Sequence, residues 1–260
     1  MYGAYLALIS FVAFAGIFPL LLTSDSICPN SFIDAGENVC MIRIDREAAY
    51  CDAHRICEQE GTKRDLRLFI PGYHAQKIAS LFRDIGIVFT SYSATLNRSN
   101  DPRAGWRVGD PGYANFVTTS DDTTIPWFTG SPVHVVQAIA LYIGGYIREG
   151  LEIQLTSTAV ICEISHSPTE VRVERFQMNW PYRLDYLFLT DDIPRGCFNR
   201  FFASTLIECA TICKQRAECR SFYFNEQSTE CLLSLYVDCL PPLRFAGRID
   251  SWVRFGRPDW

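Results

Sequence analysis

An apolar run fills residues 4–22, interrupted only by Ser10, and no charged side chain precedes Asp25. Its 19 residues are just enough to span a bilayer. Small residues at Ser24 and Ser26 supply a cleavage point, so residues 1–26 read as a secretory signal, with an uncleaved anchor as the rival reading. Beyond it the period changes. Ala49, Ala53, Ile56 and Cys57 recur at helical spacing, with Gly61 placed as a C-cap. In YHAQKIASLFRDIG, Ile78, Leu81, Phe82 and Ile85 form one stripe closed by Gly86, which predicts a second helix. A stretch rich in Gly, Pro, Asn and Asp follows over residues 91–132, with Trp106 and Trp127 inside it. The apolar runs VVQAIALYI and TAVICEI after it read as strands. Further on, Thr205 and Glu208 make a capping box, after which Leu206, Cys209, Ala210 and Cys213 share a helical face. SFYFN and CLLSLYV are then strands. The pattern is α+β.

The apolar fraction, 48% of 260 residues, is ample for packed cores. A net charge of −5 gives no basic field, so nucleic acid is not expected as a partner. A secretory route turns the 11 cysteines into a disulfide inventory rather than a metal or redox set. They divide unevenly. Cys28, Cys40, Cys51, Cys57 and Cys162 fall in the first part; Cys197, Cys209, Cys213, Cys219, Cys231 and Cys239 crowd near the end. With the polar stretch SHSPTEVRVER between the sets, this marks two domains, 27–166 and 176–260, joined by a linker over 167–175. Cys28 and Cys40 can close a short hairpin. Cys51 and Cys57, six residues apart in one helix, point about 120° apart, so a single core-facing stripe cannot hold both. The six later cysteines permit fifteen pairings, which spacing alone does not resolve.

Residues 28–166 resemble a C-type lectin-like domain. The resemblance is carried by CPNSF and the hairpin cysteines, by AHRICEQEG as the first helix, by WRVGDPGYANF in place of the tryptophan-rich loop, and by VICE in the last strand. It implies two helices, small antiparallel sheets and a long loop region, with Cys57 joined to Cys162. Four departures from the family pattern follow. The family's second disulfide has no counterpart, and its WIGL strand reads SATL. Members that bind sugar through calcium carry a Glu-Pro-Asn or Gln-Pro-Asp triplet and a Trp-Asn-Asp triplet; here the first reads Ser131, Pro132, Val133, and residues 145–150 contain no Asn or Asp. Residues 123–148 contain no Asp or Glu at all, whereas calcium needs six to eight oxygen ligands, several of them carboxylates. The calcium site is therefore expected to be lost, leaving no metal and no cofactor. Trp106 is expected in the core, with Trp127, Phe128 and Tyr113 as candidate ligand contacts. Asn97 opens a glycosylation sequon.

The run ECATICKQRAECRSFYFNEQSTECLL resembles the PAN/apple family, an antiparallel sheet with one helix, over about residues 176–260. That resemblance implies Cys209 with Cys231, Cys213 with Cys219, and Cys197 with Cys239. Cys51 is then left over, for either a Cys51 to Cys51 dimer or a buried unpaired thiol. Arg244, Arg248, Arg254 and Arg257 invite a basic strip for sulfated glycans, but Asp250 and Asp259 dilute it, and a solvated face is the plainer reading.

No catalytic motif is present, and His54, His74, His134 and His166 are far apart in sequence, so no catalytic residue is assigned. The expectation is a secreted, disulfide-bonded, non-enzymatic recognition or adhesion protein, binding an extracellular protein or glycan without calcium. A carbohydrate-binding lectin and a membrane-anchored ectodomain are its alternatives.

Overall fold

The computed structural model describes residues 28–96, 100–134, 136–166, 173–189, 196–247 and 251–260. The signal segment and the Asn97 sequon lie outside the described residues.

The first unit runs β1 (Ile33–Asp34), β2 (Cys40–Ile44), α1 (Tyr50–Lys63), β3 (Leu68–Phe69), α2 (Ile78–Leu81), β4 (Ile87–Ser93), β5 (Ile139–Ile143), β6 (Tyr146–Gly150) and β7 (Val160–Ile164). Every residue of β7 is buried, because it pairs with β2 on one side and β3 on the other in the sheet β1-β2-β7-β3. The helix α1 packs against that sheet and is bonded to it through Cys57–Cys162, and Cys28–Cys40 ties down the N-terminal hairpin. A second antiparallel sheet, β4-β5-β6, carries the long loop between β4 and β5.

The second unit is β8 (Gln177–Met178), β9 (Cys197–Phe202), α3 (Leu206–Lys214), β10 (Cys219–Asn225), β11 (Glu230–Leu235) and β12 (Trp252–Gly256). Its sheet has the order β8-β12-β10-β11-β9 and is antiparallel throughout. Thr205 caps α3 by accepting from the Glu208 N–H at 3.1 Å, while the Glu208 carboxylate accepts from Ser204 N. Both helical cysteines are fully buried and pin α3, through Cys209–Cys231 and Cys213–Cys219.

Four expectations need correction. The second helix is a single turn, preceded by a 3-10 turn at Ala75–Lys77: Phe82 is already extended, at ψ 104°, and Asp84 has φ +56°. Packing overrides the stripe, since Ile78 and Phe82 both reach the core without a longer helix. Gly61 lies inside α1 rather than at its cap; an added Cβ there would sit 2.6 Å from the Leu66 carbonyl, so the glycine makes room for the chain crossing over it.

The third correction concerns the cysteines. Cys51 is bonded to Cys197, and the buried free thiol is Cys239. The pairing Cys197–Cys239 does not form, and no thiol remains on Cys51 for an intermolecular bridge. The face of α1 turned away from Cys57 meets the second unit instead of solvent, so the two cysteines bond in two directions. Fourth, Arg254 and Arg257 are not part of a surface strip. Arg254 is 1% exposed and pairs with Asp238 at 2.6 Å; Arg257 is 8% exposed and pairs with Glu174 at 2.8 Å. Glu174, in the stretch read as linker, is thus held on the second unit. Arg248 and Asp250 lie outside the described residues.

The two units share a polar seam. Asp238, between Arg220 at 3.0 Å and Arg254, forms a buried triad. The Arg220 guanidinium and that of Arg107, from the long loop, both stand over Trp180, at 4.7 and 5.0 Å. Trp260 donates to the Gly109 carbonyl and accepts from Gly112 N.

Candidate ligand-binding face

The long loop leaves β4 at Ser93 and returns to β5 at Ile139, and buried groups fix its course. Ser93 pairs with Arg107 as an isolated bridge, and the Trp106 indole, 1% exposed, donates to Pro102 O at 2.7 Å. Asp110 is fully buried, accepting from Gly72 N, Tyr73 N and Ser91 Oγ; burial and then the charge of Glu163 push its pKa up to about 7. His74 shares a 2.7 Å hydrogen bond with Glu163. Burial alone would lower its pKa, but that bond and the carboxylate charge outweigh burial and hold it above the ordinary value.

The sequence-predicted contacts separate. Trp127 is half-buried and packs on Trp106 at 4.8 Å. Tyr113 stacks on Tyr73 at 4.3 Å, in a different cluster that also includes His74. Phe128, also half-buried, packs beside the exposed Tyr146. Its N–H donates to Ile147 O at 2.8 Å, which locks the loop to the edge of β6. Tyr146, 51% exposed, meets the Phe128 ring edge-on at 5.4 Å, and the Arg148 guanidinium lies over it at 3.7 Å. Tyr146 and Arg148 are two apart in β6, so both project to one side. Neither was singled out from sequence, although YIREG follows a two-glycine turn and places them at alternate positions.

Beside this trio the loop turns at Gly130, φ +86°, and Val133 is 57% exposed. Val133 N donates to Glu149 Oε1 at 2.9 Å, while Glu149 Oε2 and Arg148 Nε are buried without a partner among the described residues. The donor set can be weighed against calcium. Among the described residues Glu149 is the one carboxylate bonded to the loop tip, a valine side chain stands where an oxygen ligand is needed, and a guanidinium occupies the neighbouring strand position. Calcium wants a cage of oxygens rich in carboxylates, and these residues do not make one. Among the described residues no three His, Cys, Asp or Glu side chains are grouped to hold a metal. What the face offers instead is an exposed aromatic ring, an apolar edge and a positive charge held in place by a second ring.

No curated protein matches the chain. Among solved structures, the C-type lectin CEL-I from Cucumaria echinata is 12% identical, TM-score 0.40, with 54% of this chain and 99% of that chain covered. The mouse scavenger receptor C-type lectin carbohydrate-recognition domain is 16% identical, TM-score 0.37, with 54% and 99% covered. The C-type lectin domain of murine dendritic cell inhibitory receptor 2, in complex with an N-glycan, is 13% identical, TM-score 0.37, with 53% and 98% covered. What marks the first unit as C-type lectin-like is its own topology: the N-terminal hairpin, α1 bonded to the last strand, and a long loop carried on a second small sheet. Residues 198–238 match the model of the PAN domain, a span that stops just inside Cys197 and Cys239. The chain joins a C-type lectin-like unit to a PAN domain.

Proposed function

We propose that this chain is a secreted recognition protein, with domains at 27–166 and 176–260, that binds an extracellular protein or glycan without calcium through the face formed by Phe128, Tyr146 and Arg148. Lectin-like and PAN folds are non-enzymatic kinds of fold, and five disulfides fit an extracellular protein. Among the described residues no helix is long and apolar enough to cross a membrane.

The observation that carries the reading is Arg148 at 3.7 Å over Phe128. Stacking prepays part of the ordering cost of a long side chain, and a fixed guanidinium beside an exposed Tyr146 suits a ligand with an apolar patch next to a carboxylate or sulfate. The test is a glycan array run in chelator beside a pull-down from extracellular fluid. Capture of either ligand class that is lost with Arg148→Ala supports the reading; ligand capture that appears only with added calcium refutes it.

A further inference from the structure

His54, Glu58 and Thr62 follow one another at four-residue spacing on α1, so all three line one side of a groove that faces the second unit. Leu66 and Leu68 form the opposite wall, and Tyr236, Glu218 and Trp260 close it from the second unit. The groove has a volume of about 320 Å³, within the range of small-molecule sites. None of these residues belongs to the long-loop face.

The groove wall contains a buried polar atom without a partner. His54 is 3% exposed, and its Nε2 has no hydrogen-bond partner among the described residues. Burial takes the His54 pKa down to about 3, so the ring is neutral and Nε2 can either donate or accept, according to tautomer. Tyr236 stacks on this ring and donates to Glu58 Oε2 at 2.6 Å.

Three carboxylates, Glu58, Asp65 and Glu218, line the groove against one arginine, Arg67. Burial raises the pKa of Glu218 and the nearby Glu58 carboxylate adds to the rise, against the opposing pull of Arg216. A cation between the Glu58 and Glu218 carboxylates would be attracted by both. Two arginines border these carboxylates, and both have other partners. Arg67 stands over Trp260 at 4.8 Å and donates to Ala217 O, and Arg216 reaches Glu218 only at 3.4 Å while its guanidinium lies over Phe201. The remaining wall is apolar and aromatic.

We propose that the seam between the two units is a second binding site, which takes a small organic amine with an aromatic body. The ammonium lies between Glu58 and Glu218, and the ring rests among Leu66, Leu68 and Trp260, within reach of His54.

Calorimetric titration of the full chain with tryptamine, with neutral tryptophol and with anionic indole-3-acetate separates charge from shape. Tryptamine should bind about tenfold or more tightly than either of the others, the scale of one charge-assisted hydrogen bond. Glu218→Gln should erase that preference, and Glu58→Gln should do the same if the first variant fails to fold. Leu66→Trp, which fills the groove, should abolish binding while the thermal transition remains cooperative. Equal binding of the three indoles, no binding of tryptamine, or a preference that survives both Gln variants would overturn the proposal.

Discussion

The imidazole of His54 lies flat on the phenol ring of Tyr236, with centroids 4.8 Å apart and planes 11° from parallel. One ring comes from the first helix of the lectin-like unit and the other from the chain just after β11 of the PAN domain, so the stack crosses the seam between them. Tyr236→Phe keeps the stack and removes the bond to Glu58. It should cost about 1.5 to 3 kcal/mol in urea unfolding, as for a hydrogen bond to a charged group. Tyr236→Ala should cost more. A Phe variant as stable as wild type would mean that the bond adds nothing.

The pH dependence of stability should bend in two directions. His54 is held neutral in the folded state to about pH 3, whereas an unfolded histidine takes its proton near 6.5. Protons therefore favour the unfolded chain, and stability falls as pH drops from 6.5 toward 3. Glu152 has the opposite sign. Burial raises its pKa from 4.5 to about 7, despite its accepting from Gly196 N, and Tyr50 and Cys239 are its buried neighbours. An unfolded glutamate ionises first, so stability falls as pH rises from 4.5 through 7; Asp110, also raised to about 7, acts in the same sense. Glu152→Gln should raise the Tm relative to wild type at pH 8 and leave it little changed at pH 4. Parallel Tm profiles for the two proteins across that range would contradict the assignment.

Peptide mapping without reduction should recover a Cys51–Cys197 link and a single thiol, Cys239, that iodoacetamide reaches only after unfolding. Wild type and Cys51→Ser should both run as monomers on non-reducing gels. Cys239 Sγ sits against Gly196, where φ is +110° and an added Cβ would lie 2.2 Å from the sulfur. Gly196→Ala should therefore cost about 2 kcal/mol or more, from strain and overpacking together. A link between Cys197 and Cys239 in wild type would refute the arrangement.

Asp238 accepts from Arg220 and Arg254, both less than 2% exposed. Asp238→Asn keeps the shape and leaves two buried guanidinium groups without their counter-charge. The expected loss is about 3 to 5 kcal/mol in denaturant unfolding, against near-neutrality if solvent reached the triad.

How much of this was legible in the chain depended on whether a residue's partner was local. The first helix, the third, and strands β7, β10 and β11 follow from period and capping, because one buried face decides each of them. The fate of Cys51 did not follow. A helical wheel tells that it points away from Cys57, but not that the second unit waits there. Arg254 and Arg257 look like surface charge in sequence, and only the fold brings Asp238 and Glu174 to them. Trp127 reads as an exposed loop aromatic until Trp106 is placed beneath it. Tyr146 and Arg148 needed the contact of β6 with the loop at Ile147 before they formed a face with Phe128.

The most direct test is the effect of removing that face on capture of the ligand found by array or pull-down, measured in chelator by surface plasmon resonance. Arg148→Ala and Tyr146→Ala should each weaken binding about tenfold or more, with the thermal transition unchanged, since Tyr146 is exposed and the half-buried Arg148 belongs to no core cluster. Undiminished binding by both variants would contradict recognition at the Phe128–Tyr146–Arg148 face.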